Sequence, residues 1–87
     1  MPKKRIVYRV HYLGRDERWA VTRVRLDGLK ERLVMLLTKA AAVAYAVEEA
    51  RGRHYLTGEL TQVVVHGKSG RISFERTYGQ DPKRRKG

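Results

Sequence analysis

The 87-residue chain contains no cysteine, which excludes a disulfide framework, a thiolate metal site and a thiol nucleophile. That suits a reducing compartment, and a cytoplasmic location is expected. Long apolar runs are also lacking. The longest, Leu33 to Val47, is interrupted by Lys39 and is too short to cross a bilayer. The basic start Met1-Pro2-Lys3-Lys4-Arg5 is followed by alternating residues with Arg9 and His11 among them, so no signal peptide is expected. Acidic residues are scarce: nine Asp and Glu stand against 20 Lys and Arg, leaving a formal net charge of +11. No internal repeat is visible.

Hydrophobic residues make up 41% of the chain and charged residues 33%, a balance that suits one small globular domain over residues 1–87 better than a disordered chain. The charge is unevenly spread. Lys3, Lys4 and Arg5 open the chain, and Lys83, Arg84, Arg85 and Lys86 close it. Residues 6 to 82 carry thirteen basic against nine acidic side chains. Basic, flexible ends over about residues 1–4 and 80–87 are therefore expected, with a field that attracts polyanions.

Residues 5 to 12 alternate as a strand. Ile6, Tyr8, Val10 and Tyr12 share one face, while Arg5, Arg9 and His11 share the other. After the polar turn Gly14 to Glu17, residues 18 to 26 read as a second strand rich in Trp, Val and Thr. Trp19 and Val21 facing inward would carry Arg23 and Arg25 in with them, so a bulge or strand end near Thr22 is expected. Residues 27 to 37 allow two readings. Leu29, Leu33, Leu36, Ala40, Val43 and Val47 recur at helical spacing, which permits one long helix from Leu29 to Arg51. Alternatively, Asp27-Gly28 makes a turn, Arg32 to Leu37 forms a third strand, and Thr38 caps the helix that follows. On either reading residues 38 to 51 are helical, with Val43, Val47 and Ala50 on the buried stripe and Gly52 ending the element. Residues 53 to 60 read as loop. Residues 62 to 66 and 71 to 78 then form a hairpin across Gly67-Lys68-Ser69-Gly70, with Ile72 and Phe74 on its apolar face.

The hairpin carries a recognisable pattern. Val63-Val64-Val65-His66-Gly67-Lys68-Ser69-Gly70-Arg71-Ile72, then Thr77-Tyr78-Gly79-Gln80-Asp81-Pro82, resembles the bacterial domain of unknown function 2188. That family ends in a VVHG-x-x-G-R-I…TYG-x-D-P signature. Trp19-Ala20-Val21 and Thr38-Lys39 lie where the family has its W-x-V strand and the T-K opening of its helix. The chain departs from it in the Lys83 to Lys86 tail, where proline is usual, and in the leucine-rich segment before Thr38. The resemblance implies that this segment is a strand. The expected fold is thus α+β: a small three-stranded antiparallel sheet, one helix and a C-terminal β-hairpin, in the order β-β-β-α-β-β. The resemblance implies no activity.

Sites for chemistry are sparse. His11, His54 and His66 have no carboxylate or second histidine at metal-ligand spacing, and His66 is expected to hydrogen-bond within its turn. Gly67-Lys68-Ser69 imitates the end of a phosphate-binding loop, but Gln62 occupies the position of its first glycine and a strand follows in place of a helix. Adjacent Glu48 and Glu49 cannot face one another on a helix, and Glu75 and Asp81 lack partners for acid–base work. No enzyme, metal or cofactor is expected.

Basic residues interleaved with aromatics remain. Arg5, Arg9 and His11 with Arg23 and Arg25 are expected to form a cationic sheet face, to which Lys68 and Arg71 of the hairpin add. The terminal Lys3, Lys4, Lys83, Arg84, Arg85 and Lys86 would supply further phosphate contacts. Tyr12, Tyr55 or Tyr78 would stack on bases if single strands were bound. The expected role is a non-catalytic nucleic-acid-binding module, for DNA or RNA. The rival is a protein-interaction adaptor, for example a homodimer through residues 33–37. A membrane partner is not expected, because no amphipathic helix carries a basic face.

Overall fold

The computed structural model describes residues 5–79; the basic ends expected at 1–4 and 80–87 lie outside them. The elements are β1 (Ile6–Leu13), β2 (Arg18–Val24), β3 (Lys30–Leu36), α1 (Lys39–Thr57), β4 (Thr61–His66) and β5 (Ile72–Tyr78). The α+β class and the order of elements agree with the sequence reading, and residues 30–36 are strand. The sheet differs. A three-stranded sheet and a separate hairpin were expected, whereas all five strands join one mixed sheet in the order β3-β2-β1-β4-β5.

The junction is a parallel pairing of β1 with β4, from Ile6 opposite Thr61 to Val10 opposite Val65. Its sequence signal is Val63-Val64-Val65. A strand buried on both faces reads as a continuous apolar run, not as an alternation, and Val64 is only 5% exposed although it points away from the helix.

One face of the sheet receives the helix. Tyr8 and Val10 of β1, Val21 of β2, and Val63 and Val65 of β4 are fully buried there. The helix meets them through Ala42, Ala46 and Ala50, also fully buried. Spaced four residues apart, these alanines form one seam, and their small side chains let the helix backbone approach the sheet. Val43 and Val47, expected on this stripe, flank it half-buried. Thr61 adds a polar tie, its buried hydroxyl donating to the Ala50 carbonyl at 2.9 Å.

The helix begins as expected and ends later. Thr38 is extended (φ −123°, ψ 155°) and its Oγ1 accepts from the Ala41 amide at 3.1 Å, a regular N-cap. Gly52 does not terminate it. Helix continues to Thr57 and closes at Gly58 (φ 77°), whose amide donates to the His54 carbonyl at 2.8 Å. Residues 53–60 were expected to be loop, but their side chains hold the last turn together. The His54 ring donates from Nδ1 to the Glu59 carbonyl at 2.8 Å, and Arg53 pairs with Glu59 at 3.4 Å. Those contacts offset the cost of an interior glycine, about 1 kcal/mol.

The expected irregularity near Thr22 exists, and the extra residue lies on the partner strand. Val21 pairs with Val34 and Thr22 with Arg32, so Leu33 of β3 is the unpaired one. Strand β2 therefore keeps its alternation, and Arg23 stays on the helix side, across from Tyr8 and Glu31. A second shift lies between Val65 and His66. Phe74 pairs with Val65 and Ile72 with His66, successive residues of β4 that point to opposite faces. Ile72 and Phe74 hence do not form the single apolar face expected of them, and both are exposed on an edge strand.

Candidate nucleic-acid interface

The sheet face turned away from the helix is uncovered, and its residues follow from the register. Arg32, Thr22 and Arg9 stand in one row across β3, β2 and β1. The neighbouring row holds Lys30, Val24 and Val7. All of these except Val7 line an open cleft of about 660 Å³, closed at the far side by His66 and by Lys68 of the β4–β5 turn. Among the described residues no carboxylate lines it.

Four of the chain's arginines are neutralised, and none of them lines the cleft. Arg23 donates to Glu31 through Nε at 2.9 Å and Nη2 at 2.6 Å, and Arg25 reaches Glu31 at 3.5 Å and Asp27 at 3.7 Å. Arg23's hydrogen bonds hold the Glu31 carboxyl below its usual range. Arg51 and Arg53 are paired with Glu48 and Glu59. By contrast Arg9, Lys30, Arg32 and Lys68 make no ion pair among the described residues. Arg32 donates a hydrogen bond to the Met35 sulfur at 3.5 Å, and Lys68 lies over the Tyr12 ring at 4.9 Å.

Two histidines complete the cleft. Arg9 donates from Nη1 to His66 Nε2 at 3.1 Å, so that nitrogen is an acceptor and the proton sits on Nδ1, which donates to the Gly70 carbonyl at 3.1 Å. The turn contact expected of His66 is there, and its other nitrogen orients Arg9. His11 is half-buried with Nε2 3.2 Å from Thr22 Oγ1. Burial first, then the nearby Arg32, His66 and Arg9, push its imidazole below its usual range, which favours the neutral ring. Among the described residues no group of three or more His, Cys, Asp or Glu gathers as a metal-binding set. No helix among them is long and apolar enough to cross a membrane.

The expected cationic face is thus reassigned. Arg9 and Lys68 belong to it. Arg23 and Arg25 do not: Arg23 lies on the helix side, and both are spent on carboxylates of the β2–β3 hairpin. Arg5 and Arg71 are exposed outside the cleft lining. Lys3, Lys4, Lys83, Arg84, Arg85 and Lys86 lie outside the described residues. Sequence reasoning missed Lys30 and Arg32. Their spacing of two along a strand would have revealed them, had residues 27–37 not also read as helix. Comparison with protein-family models, curated proteins and solved structures finds no match to this chain.

Proposed function

We propose that this protein is a nucleic-acid-binding module that holds the phosphate backbone on its open sheet face. The observation that carries the reading is convergence: Arg9, Lys30, Arg32 and Lys68, none of them ion-paired among the described residues, surround one cleft without a carboxylate, while Arg5, Arg15, Arg18, Lys39, Arg71 and Arg76, equally unpaired, lie outside its lining. Unpaired, exposed cations gain most from meeting phosphates, since no existing ion pair must be broken. The reading assigns no catalysis and no cofactor, and the resemblance to the family of unknown function adds no activity to it.

A matched pair of charge reversals tests it. Arg32→Glu and Arg51→Glu change net charge equally, one in the cleft and one on the outer helix surface. Fluorescence anisotropy with labelled nucleic acid should show a large loss for Arg32→Glu and little change for Arg51→Glu. Equal losses would mean that bulk charge alone attracts the polymer.

A second reading, self-association through residues 33–37, rests on β3 being an edge strand with Met35 and Leu37 exposed. Leu36 faces Trp19 and packs on the core, so Leu37, 69% exposed, is the informative position. Elution mass at high salt, with and without Leu37→Lys, decides it: a dimer lost in the variant supports this reading, and a monomer in both removes it.

A further inference from the structure

We infer that the cleft takes a double-stranded rather than a single-stranded polyanion, with one phosphate line along each side; this rests on the nucleic-acid reading above. Its cations fall into two rails. Lys30 and Arg32 stand on β3, and Arg9 on β1 is joined by Lys68 from the turn. Strand β2 separates the rails and presents only Thr22 and Val24 between them. Arg9 and Arg32 occupy one row two strand spacings apart, about 10 Å between their backbones. The grooves of a B-form duplex are about 6 Å and 12 Å wide, so rails at this spacing, on side chains that can lean either way, meet phosphates on both sides of one groove. A single strand offers one phosphate line, which engages one rail.

The aromatic rings argue the same way. Proteins that hold single strands stack bases on exposed rings. Here Tyr8 and Trp19 are buried, and Tyr45 and Tyr78 pack half-buried against the core. Phe74 pairs with Val65 and points to the helix side, and Tyr55 is 85% exposed on the helix, which covers the opposite face of the sheet. Tyr12 does line the cleft, but Lys68 lies over its ring at 4.9 Å and Trp19 packs on it at 5.0 Å. The imidazoles of His11 and His66 are half-buried and already bonded to Thr22, Arg9 and Gly70. Sheet width points away from groove insertion. Five strands span about 19 Å, too broad to enter a major groove of about 12 Å, so the face lies across the backbones.

The test is anisotropy with the full chain and four labelled probes of one sequence: duplex DNA, duplex RNA, and a single strand of each. At equal salt, a duplex should bind at least about tenfold tighter than its own single strand, and either duplex winning supports the inference. Arg9→Ala and Arg32→Ala each remove part of one rail and should each bring that ratio towards one; both positions are exposed, so the fold is retained, which circular dichroism checks. Single strands binding as tightly as duplexes would overturn the inference and leave the nucleic-acid reading standing. A duplex preference surviving in both variants would also overturn it. Salt-sensitive binding to none of the four probes would remove that reading, and the inference with it.

Discussion

Neutralising the cleft should change the salt dependence of binding by a calculable amount. Each phosphate neutralised on a B-form duplex contributes about 0.9 to the slope of log affinity against log salt. If Arg9, Lys30, Arg32 and Lys68 each meet one phosphate, the cleft supplies a slope of about 3.6. Between 50 and 200 mM salt that amounts to roughly a 150-fold loss of affinity. The quadruple alanine variant should lose that share and retain only the dependence due to cations elsewhere in the chain. Single variants should each flatten the slope by about 0.9, because the four side chains are exposed and none is tied to a carboxylate. The assay is anisotropy of a labelled duplex at five or six salt concentrations, fitted for slope. A slope unchanged in the quadruple variant would refute the reasoning, because it would place the phosphate contacts outside the cleft.

Three further outcomes follow from the packing and from His11. The Gly79 glycine of the Tyr78-Gly79 motif has φ 89°, and a Cβ there would lie 2.7 Å from both the His54 ring and the Leu60 side chain. Gly79→Ala should therefore cost about 2 kcal/mol or more, read from urea unfolding, and a neutral result would mean that the β5 end is not packed as described. The Tyr8 hydroxyl is buried without a hydrogen-bond partner of good geometry among the described residues, although Arg23 is near. Tyr8→Phe should hence be neutral or stabilising by up to about 1 kcal/mol, and a clear loss of thermal stability would show that the hydroxyl is bonded. His11 binds its proton less readily when folded than its ordinary value of 6.5. The unfolded chain therefore binds more protons just below that pH, and stability should be complete above it and decline as pH falls through the folded value. His11→Gln should flatten that acid-side decline in melts between about pH 7 and 5.

Much of this fold is legible in the chain, for reasons that differ by element. Strand β1 announces itself through strict alternation, and Thr38 caps a helix whose alanines promise a close approach to a sheet. The late helix end is hidden because Gly52 satisfies the local rule for termination, while the contacts that override it, His54 and Arg53 with Glu59, need three-dimensional closure. The β1–β4 pairing is legible only in hindsight, since Val63-Val64-Val65 fits an edge hairpin as well as a central strand. The cleft was half visible. Arg9 and Lys68 follow from strand parity and turn position. Arg23 and Arg25 misled because charge is visible in sequence and neutralisation is not: Glu31, six to eight residues away, becomes their partner only once β2 and β3 pair. Lys30 and Arg32 were masked by the helical periodicity of the leucines around them.

The parallel pairing of β1 with β4 also sets the order in which the molecule can assemble. Strand β1 sits at the centre of the sheet, yet one of its two neighbours is encoded 55 positions later, Thr61 for Ile6. The β1–β2–β3 meander can form early from local contacts, but while β4 is missing it keeps an open edge on its most apolar strand. Helix α1 then lacks part of its docking surface, since Val63 and Val65 line the same core as Ala42, Ala46 and Ala50. Closing the sheet requires β4, so a chain cut before Thr61 should expose a sticky edge and should not fold into a smaller domain.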